Sequence, residues 1–249
     1  GTGGYARQYD LEGNSTNIRW FVPDPYITVY PLRDSITGDD WTPYSDVTLT
    51  INSIIISSDV ANEFGDVDFY PDDDITVGDE VTLNDGTYTR THIVTNLAVT
   101  GIDETTNSVS GTAAVGSDVY VHGGNDYDWE EMTLTATSGS WTATFTYLDF
   151  APGTSGEAKQ FDAEGNSTTI SWKVPDPLIR VYPQWDRVEG LNWASFTPIT
   201  LWINSVEIGT EVSDEWGNTD FYPDFEVLSG DFIEMTDGIS TISYTVSNH

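Results

Sequence analysis

Acidic side chains are the first candidates for chemistry in this chain of 249 residues, which carries 41 of them against 8 basic ones, a formal charge of −33. Two carboxylates held roughly 5–9.5 Å apart across a cleft can hydrolyse a glycosidic bond. Among 41 acids some pair meets that distance by accident, so abundance selects no pair. His92, His122 and His249 show no metal-ligand spacing, and the second copy of an internal repeat replaces His92 by Tyr244. Cysteine is absent, which excludes thiolate nucleophiles, thiolate metal sites and disulfides. Neither a Gly-x-Ser-x-Gly elbow nor a phosphate-binding Gly-rich loop occurs. The chain is expected not to be an enzyme.

Cation binding is the more specific expectation. Asp10, Glu12 and Asn14, and again Asp162, Glu164 and Asn166, place oxygen ligands at alternate positions around a Gly turn. Hard Ca²⁺ takes six to eight such oxygens. Each loop supplies three or four, so Asp24 or Asp176 in the following linker would have to contribute. The alternative is an Asx turn, in which Asp and Asn bond their own backbone. Asp72-Asp73-Asp74 reads Asp224-Phe225-Glu226 in the other copy, as expected of a solvated acidic face. Asn14-Ser15-Thr16 and Asn166-Ser167-Thr168 fit the glycosylation sequon and are expected at exposed hairpin tips. Of the nine Trp, Trp20/Trp172 and Trp41/Trp193 recur with the repeat and are expected to pack in cores or junctions. Trp185 and Trp202 do not recur; packing or an inter-module contact is the favoured role for them, and stacking on a glycan is the alternative.

The charge argues against nucleic acid, whose phosphates need a basic face, and against an anionic membrane. No apolar run approaches the roughly 20 residues that span a bilayer. At 38% hydrophobic and 13% aromatic residues the chain is rich enough to build cores.

The positioning elements follow from self-similarity. Residues 1–97 align without a gap on 153–249, with 45 identities over 97 positions at an offset of 152. Half of that unit is 76, and punctuation falls at that spacing: the Val-Pro-Asp-Pro linkers begin at Val22 and Val174, and a new alternating strand starts between them at Leu97-Ala98-Val99. The expected domains are 22–97, 98–173 and 174–249, preceded by a remnant, 1–21, equivalent to the last two strands of the middle module. Polar and apolar residues alternate with period two, as in Thr48–Ile51 and Ser140–Phe145, and Asn-Asp-Gly and Gly-Asn pairs break the runs. The fold class is all-β: tandem β-sandwiches in an elongated array.

Val109-Ser110-Gly111-Thr112-Ala113 with Gly116 and Val119, Gly139-Ser140-Trp141-Thr142, and Asp162-Ala163-Glu164-Gly165-Asn166-Ser167-Thr168 make the middle module and the remnant resemble bacterial immunoglobulin-like repeats of extracellular surface proteins and adhesins. The resemblance implies spacer, stalk or ligand-presenting modules without catalytic residues. The outer modules are expected to be a second type of sandwich. The expected role is an extracellular, cell-surface stalk or filament-forming segment; the alternatives are an adhesin or glycan-binding module, or the accessory domains of a secreted hydrolase. Partners would be further repeats of a longer parent chain, or a neighbouring subunit that completes the remnant by strand addition.

Overall fold

The computed structural model describes residues 2–125 and 128–247, so His249 lies outside the described residues. Its regular structure is β apart from single 3-10 turns at Pro31–Arg33 and Pro183–Trp185. The chain opens with a hairpin, β1 (Thr2–Tyr9) and β2 (Ser15–Val22). The first module holds β3 (Tyr26–Tyr30), β4 (Ser35–Asp39), β5 (Asp46–Ile51), β6 (Ile54–Val60), β7 (Val67–Phe69), β8 (Glu80–Asn84) and β9 (Thr89–Ile93). The middle module holds β10 (Ala98–Asp103), β11 (Ser108–Thr112), β12 (Asp118–Gly124), β13 (Trp129–Thr135), β14 (Ser140–Thr144), β15 (Ser155–Phe161) and β16 (Ser167–Lys173). The third holds β17 (Leu178–Tyr182), β18 (Arg187–Leu191), β19 (Pro198–Ile203), β20 (Val206–Val212), β21 (Thr219–Phe221), β22 (Phe232–Thr236) and β23 (Thr241–Thr245).

Every module uses one strand order. Its first, second and fifth strands form one layer, and its fourth, third, sixth and seventh form the other. This is an immunoglobulin-like arrangement of two antiparallel layers. The expected division into two sandwich types therefore has no counterpart in strand order. The two kinds of module differ in their turns, where local residue chemistry diverges, while the period-two pattern that sets the layers is common to both.

Alternation explains the cores. Val47 and Leu49 on β5, Val81 and Leu83 on β8, and Val119 and Val121 on β12 point inward from pleated strands, and all are buried. The three cores run from Ile27 to Val94, from Leu97 to Val174 and from Val188 to Val246. Trp41 and Trp193 sit at equivalent core positions, 0% and 1% exposed. A Gly crosses each closely: a Cβ on Gly65 or Gly217 would lie 2.2 or 1.9 Å from the Trp41 or Trp193 carbonyl oxygen. β14 stops at Thr144, one residue short of the alternating run Ser140–Phe145, and just beyond it the Glu130 carboxylate accepts the backbone N–H groups of Thr146, Tyr147 and Leu148.

The modules are not merely strung end to end. β16 runs parallel to β3, with Ser167 opposite Thr28 and Thr168 opposite Val29. That pairing fuses layers of two modules into one seven-stranded sheet, ordered β13-β12-β15-β16-β3-β4-β7. A continuous sheet resists bending between modules more directly than the Pro-containing linkers can.

Candidate functional site at the module junctions

The joint between the first and middle modules is built from the loop that sequence reading treated as a cation site. Asp162 closes the β15–β16 hairpin as an Asx turn, its carboxylate accepting the backbone N–H groups of Glu164 and Asn166 at 2.9 and 3.0 Å. Gly165 lets the chain turn at φ 89. The turn presents Asn166, which is 0% exposed yet fully used. Its Oδ1 accepts the Ile27 N–H at 2.9 Å, and its Nδ2 donates to Asp162 at 3.0 Å and to the Thr91 carbonyl at 3.3 Å. A buried amide with its polar atoms bonded costs little, and removing it would orphan the groups it bridges.

His92 locks the other side of the joint. Its Nδ1 lies 2.9 Å from an Asp162 oxygen and its Nε2 lies 2.9 Å from Thr168 Oγ1. An ionised carboxylate only accepts, so Nδ1 carries the proton of that bond. Thr168 Oγ1 also accepts the Thr95 N–H at 3.0 Å. Burial pushes the Asp162 carboxyl up, but the bonds from His92, Asn166 and the backbone outweigh it and hold it below the ordinary Asp range.

A second junction gathers all three modules. An open cleft of about 850 Å³ receives Arg33 from the first, His122, Trp129 and Glu157 from the middle, and Glu215 and Trp216 from the third. Arg33 touches every module: its Nη2 donates to Ser171 Oγ at 2.8 Å, its Nε is 3.5 Å from the Glu215 carboxylate, and its guanidinium lies 5.1 Å above the Trp216 ring. Hydrogen bonding from His122, assisted by Lys159, overcomes burial and holds Glu157 down to about 2. Such a carboxylate is no general acid at neutral pH. Trp129 and Trp216 are 60% and 58% exposed and offer flat apolar faces among polar groups.

A third feature is a set of acids on the first module. Burial, then the charges of Asp66 and Asp40, raise Asp39 to about 6. The equivalent positions in the third module are Leu191, Asn218 and Asn192, so the set is not repeated.

The structure distributes the sequence-derived candidates as follows. Asp10, Glu12 and Asn14 form the same turn as their repeats: Asp10 accepts the N–H groups of Glu12 and Asn14 at 3.1 and 2.8 Å and the Asn14 side chain at 2.8 Å. Those bonds, the Asn14 side chain first, lower the Asp10 carboxyl. Asp24 faces Arg90 at 3.5 Å, and the Asp176 backbone N–H donates to Asn192. Among the described residues no three acids or histidines gather as a cation site. Asn14 is exposed at its hairpin tip; Asn166, expected to be exposed as well, is buried because the first module covers it. Trp185 is 62% exposed and lies beside Tyr182 with the rings tilted and their centroids 5.4 Å apart, while Trp202 lies on β19 in the opposite layer, so the two do not share one surface. Trp172 is in the middle core, as its recurrence suggested, but Trp20 is 51% exposed.

Sequence reading missed His92, Arg33, Trp129 and Trp216 as junction residues. A signal existed for two of them: His92 and Arg33 differ from their repeats, Tyr244 and Trp185, inside otherwise similar surroundings. Positions that touch a neighbour in one copy are free to change in the other.

No protein-family model matches the chain, and no curated protein matches it. Among solved structures it is similar to a central fibronectin-III array of RIM-binding protein, at 12% identity and a TM-score of 0.26, covering 92% of this chain and 98% of that one. A tetra-tandem repeat from the extending region of a large adhesion protein matches at 15% identity and a TM-score of 0.25, covering 98% and 81%. A structure concerned with host cell surface retention of a 1.5-MDa bacterial ice-binding adhesin matches at 16% identity and a TM-score of 0.24, covering 92% and 98%. Similarities of this size carry no argument about function, and the fold stands on its own strand order.

Proposed function

We propose that the chain is a non-enzymatic extracellular structural protein, a segment of a tandem-repeat stalk on a microbial cell surface. One observation carries the reading: the first and middle modules share a seven-stranded sheet pinned by a fully buried Asn166. Such a joint spends a saturated hydrogen-bond network on holding two modules in one orientation, which suits a strut and does nothing for a turnover site. The charge of −33 supports it, since like-charged arrays stay soluble and apart. Backbone ¹⁵N relaxation tests the proposal. Residues 22–97 and 98–173 should tumble with one correlation time; two separate times would make the modules beads on a string and overturn it.

A second reading, adhesion to a neutral glycan, is favoured by the cleft at Trp129 and Trp216 rather than by Trp185 and Trp202. Exposed indoles flanked by amides and carboxylates can stack on a sugar face and bind its hydroxyls. Oligosaccharide titration followed by Trp fluorescence checks this reading, which requires saturable quenching that Trp216→Ala abolishes.

A further inference from the structure

The cleft that gathers all three modules shares His122, Trp129 and Glu157 with the outer face of the seven-stranded sheet. Alternate residues of a pleated strand share a face. Val119 and Val121 are buried, so Tyr120 and His122 on β12 point outward; so do Glu157, Lys159 and Phe161 on β15, around the buried Ala158 and Gln160. Trp129 and Glu131 stand opposite Gly124 and His122 on the neighbouring strand, and therefore on the same face. Four rings form a row there: Trp129 and His122 have centroids 5.9 Å apart, His122 and Tyr120 5.8 Å, and Tyr120 and Phe161 6.4 Å.

We propose that this row extends the cleft into a series of subsites for an uncharged, linear polysaccharide, which lies from Trp216 across Trp129, His122 and Tyr120 to Phe161. The inference rests on the glycan reading of the cleft and deepens it: the ligand is a chain of several sugar units rather than one terminal sugar.

Three observations support it. First, the sandwich does not require the row. The same layer of the first module carries Thr48, Ser58, Thr82 and Thr91 on its outer face, their hydroxyls paired at 2.9 and 3.0 Å. On the middle module Trp129 and Phe161 stand 60% and 51% exposed instead. Rings repeated along a face suit a ligand that repeats as well, and each pyranose unit of an extended chain offers an apolar face rimmed by hydroxyls.

Second, the polar groups between the rings are held in place and still have capacity. His122 and Lys159 both meet Oε2 of Glu157, at 3.4 and 2.9 Å, and the Tyr120 hydroxyl donates to Oε2 of Glu131. Among the described residues the Oε1 atoms of Glu157 and Glu131 have no such partner, so they can accept sugar hydroxyls without breaking a bond within the protein. Side chains fixed beforehand lose little freedom when a ligand arrives.

Third, charge selects the class of chain. A net −33 repels an anionic polymer. A cationic one would have to displace His122 and Lys159 from Glu157, and the Tyr120 hydroxyl from Glu131. An uncharged chain meets neither obstacle.

Chain length is the test. The protein is titrated with 1,4-linked gluco- and manno-oligosaccharides of two to six units, followed by Trp fluorescence. The proposal expects affinity to rise by about tenfold between two units and six, the order of gain that one or two further ring contacts supply. Phe161→Ala, at the end of the row farthest from the cleft, should leave the disaccharide unchanged and bring the hexasaccharide down to it. Tyr120→Ala should do the same, which guards against a folding defect in one variant. Equal affinity at every length would overturn the proposal and leave a cleft for one sugar, and so would a hexasaccharide indifferent to both substitutions. No quenching at any length would overturn the glycan reading itself and this inference with it.

Discussion

The modules at 22–97 and 174–249 share a strand order, a buried Trp and a Gly pressed against it, yet their first strands meet different surroundings. Ile27 and Val29 on β3 are sealed by β16, while the same residue types at Ile179 and Val181 on β17 remain half-buried. The residue does not decide its own burial here; the neighbour does. A sandwich of this order can present its first strand as a finished edge or as an open one, and what changes around that edge is Thr28 to Arg180, His92 to Tyr244 and Arg33 to Trp185. Among the described residues the two modules are one scaffold whose first strand is paired by β16 in one and lies at a sheet edge in the other.

The largest effects should come from the shared Trp, and they should expose the asymmetry. Trp41→Ala and Trp193→Ala each remove a fully buried ring and should cost about 3–5 kcal/mol in their own module. Hydrogen exchange should then separate them: Trp41→Ala should also speed exchange along β16, which loses its partner strand, whereas Trp193→Ala should leave β16 protected. Equal behaviour of β16 in both variants would mean that the joint contributes nothing to the middle module.

The joint itself comes next. Asn166→Ala leaves the Ile27 N–H and the Thr91 carbonyl without their partner and should cost about 1–3 kcal/mol in denaturant unfolding. Asn14→Ala, at the exposed copy of the same position, should stay within about 0.5 kcal/mol in dilute solution. A matching loss in both would erase the distinction between closed and open joints.

Acidity should sharpen the comparison more gently. Asp39 titrates at about 6 in the folded state against an ordinary 3.8. Its stabilising contribution is therefore complete below pH 3.8 and is lost as pH rises through about 6. The first module should melt higher at pH 5 than at pH 7.5, by on the order of 1 kcal/mol once solvent screening is allowed for. Asp39→Leu, which installs the residue found at position 191, should remove that dependence. Smallest of all, unfolding in millimolar Ca²⁺ and in EDTA should coincide if the acidic hairpins act as turns alone; a ligand at a hundredfold excess over its Kd would add about 2.7 kcal/mol, and such a shift would restore Asp10, Glu12, Asp162 and Glu164 as cation ligands.

Much of the scaffold was legible beforehand. Alternation along Thr48–Ile51 and Ser140–Phe145, and the recurrence of Trp41 at Trp193, carry information because core burial is written in side-chain type. β5 and β14 lie where those runs place them, with ends shifted by no more than two residues. The joint was not legible, because a strand edge pairs through backbone groups that every residue type possesses. Asn166-Ser167-Thr168 reads as a polar surface triplet, and nothing local to it announces that Asn166, Ser167 and Thr168 are 0%, 2% and 0% exposed. The cleft was hidden for another reason: Arg33, Trp129 and Trp216 are far apart in sequence and belong to three modules.

The parallel sense of β16 and β3 has a mechanical consequence. The chain enters β3 at its N-terminal end, from the linker at Pro23–Pro25, and leaves β16 at its C-terminal end, toward Pro175–Pro177. Tension applied along the chain therefore pulls the two strands from opposite ends of their ladder. The load falls on the rungs together, in shear, where an antiparallel pair pulled from one end would part rung by rung. Until that ladder slides, the stretch between Tyr30 and Ser167 lies outside the line of force. Most of two modules is thereby shielded behind one short clamp, and its strength is set by a few rungs, a histidine and an asparagine.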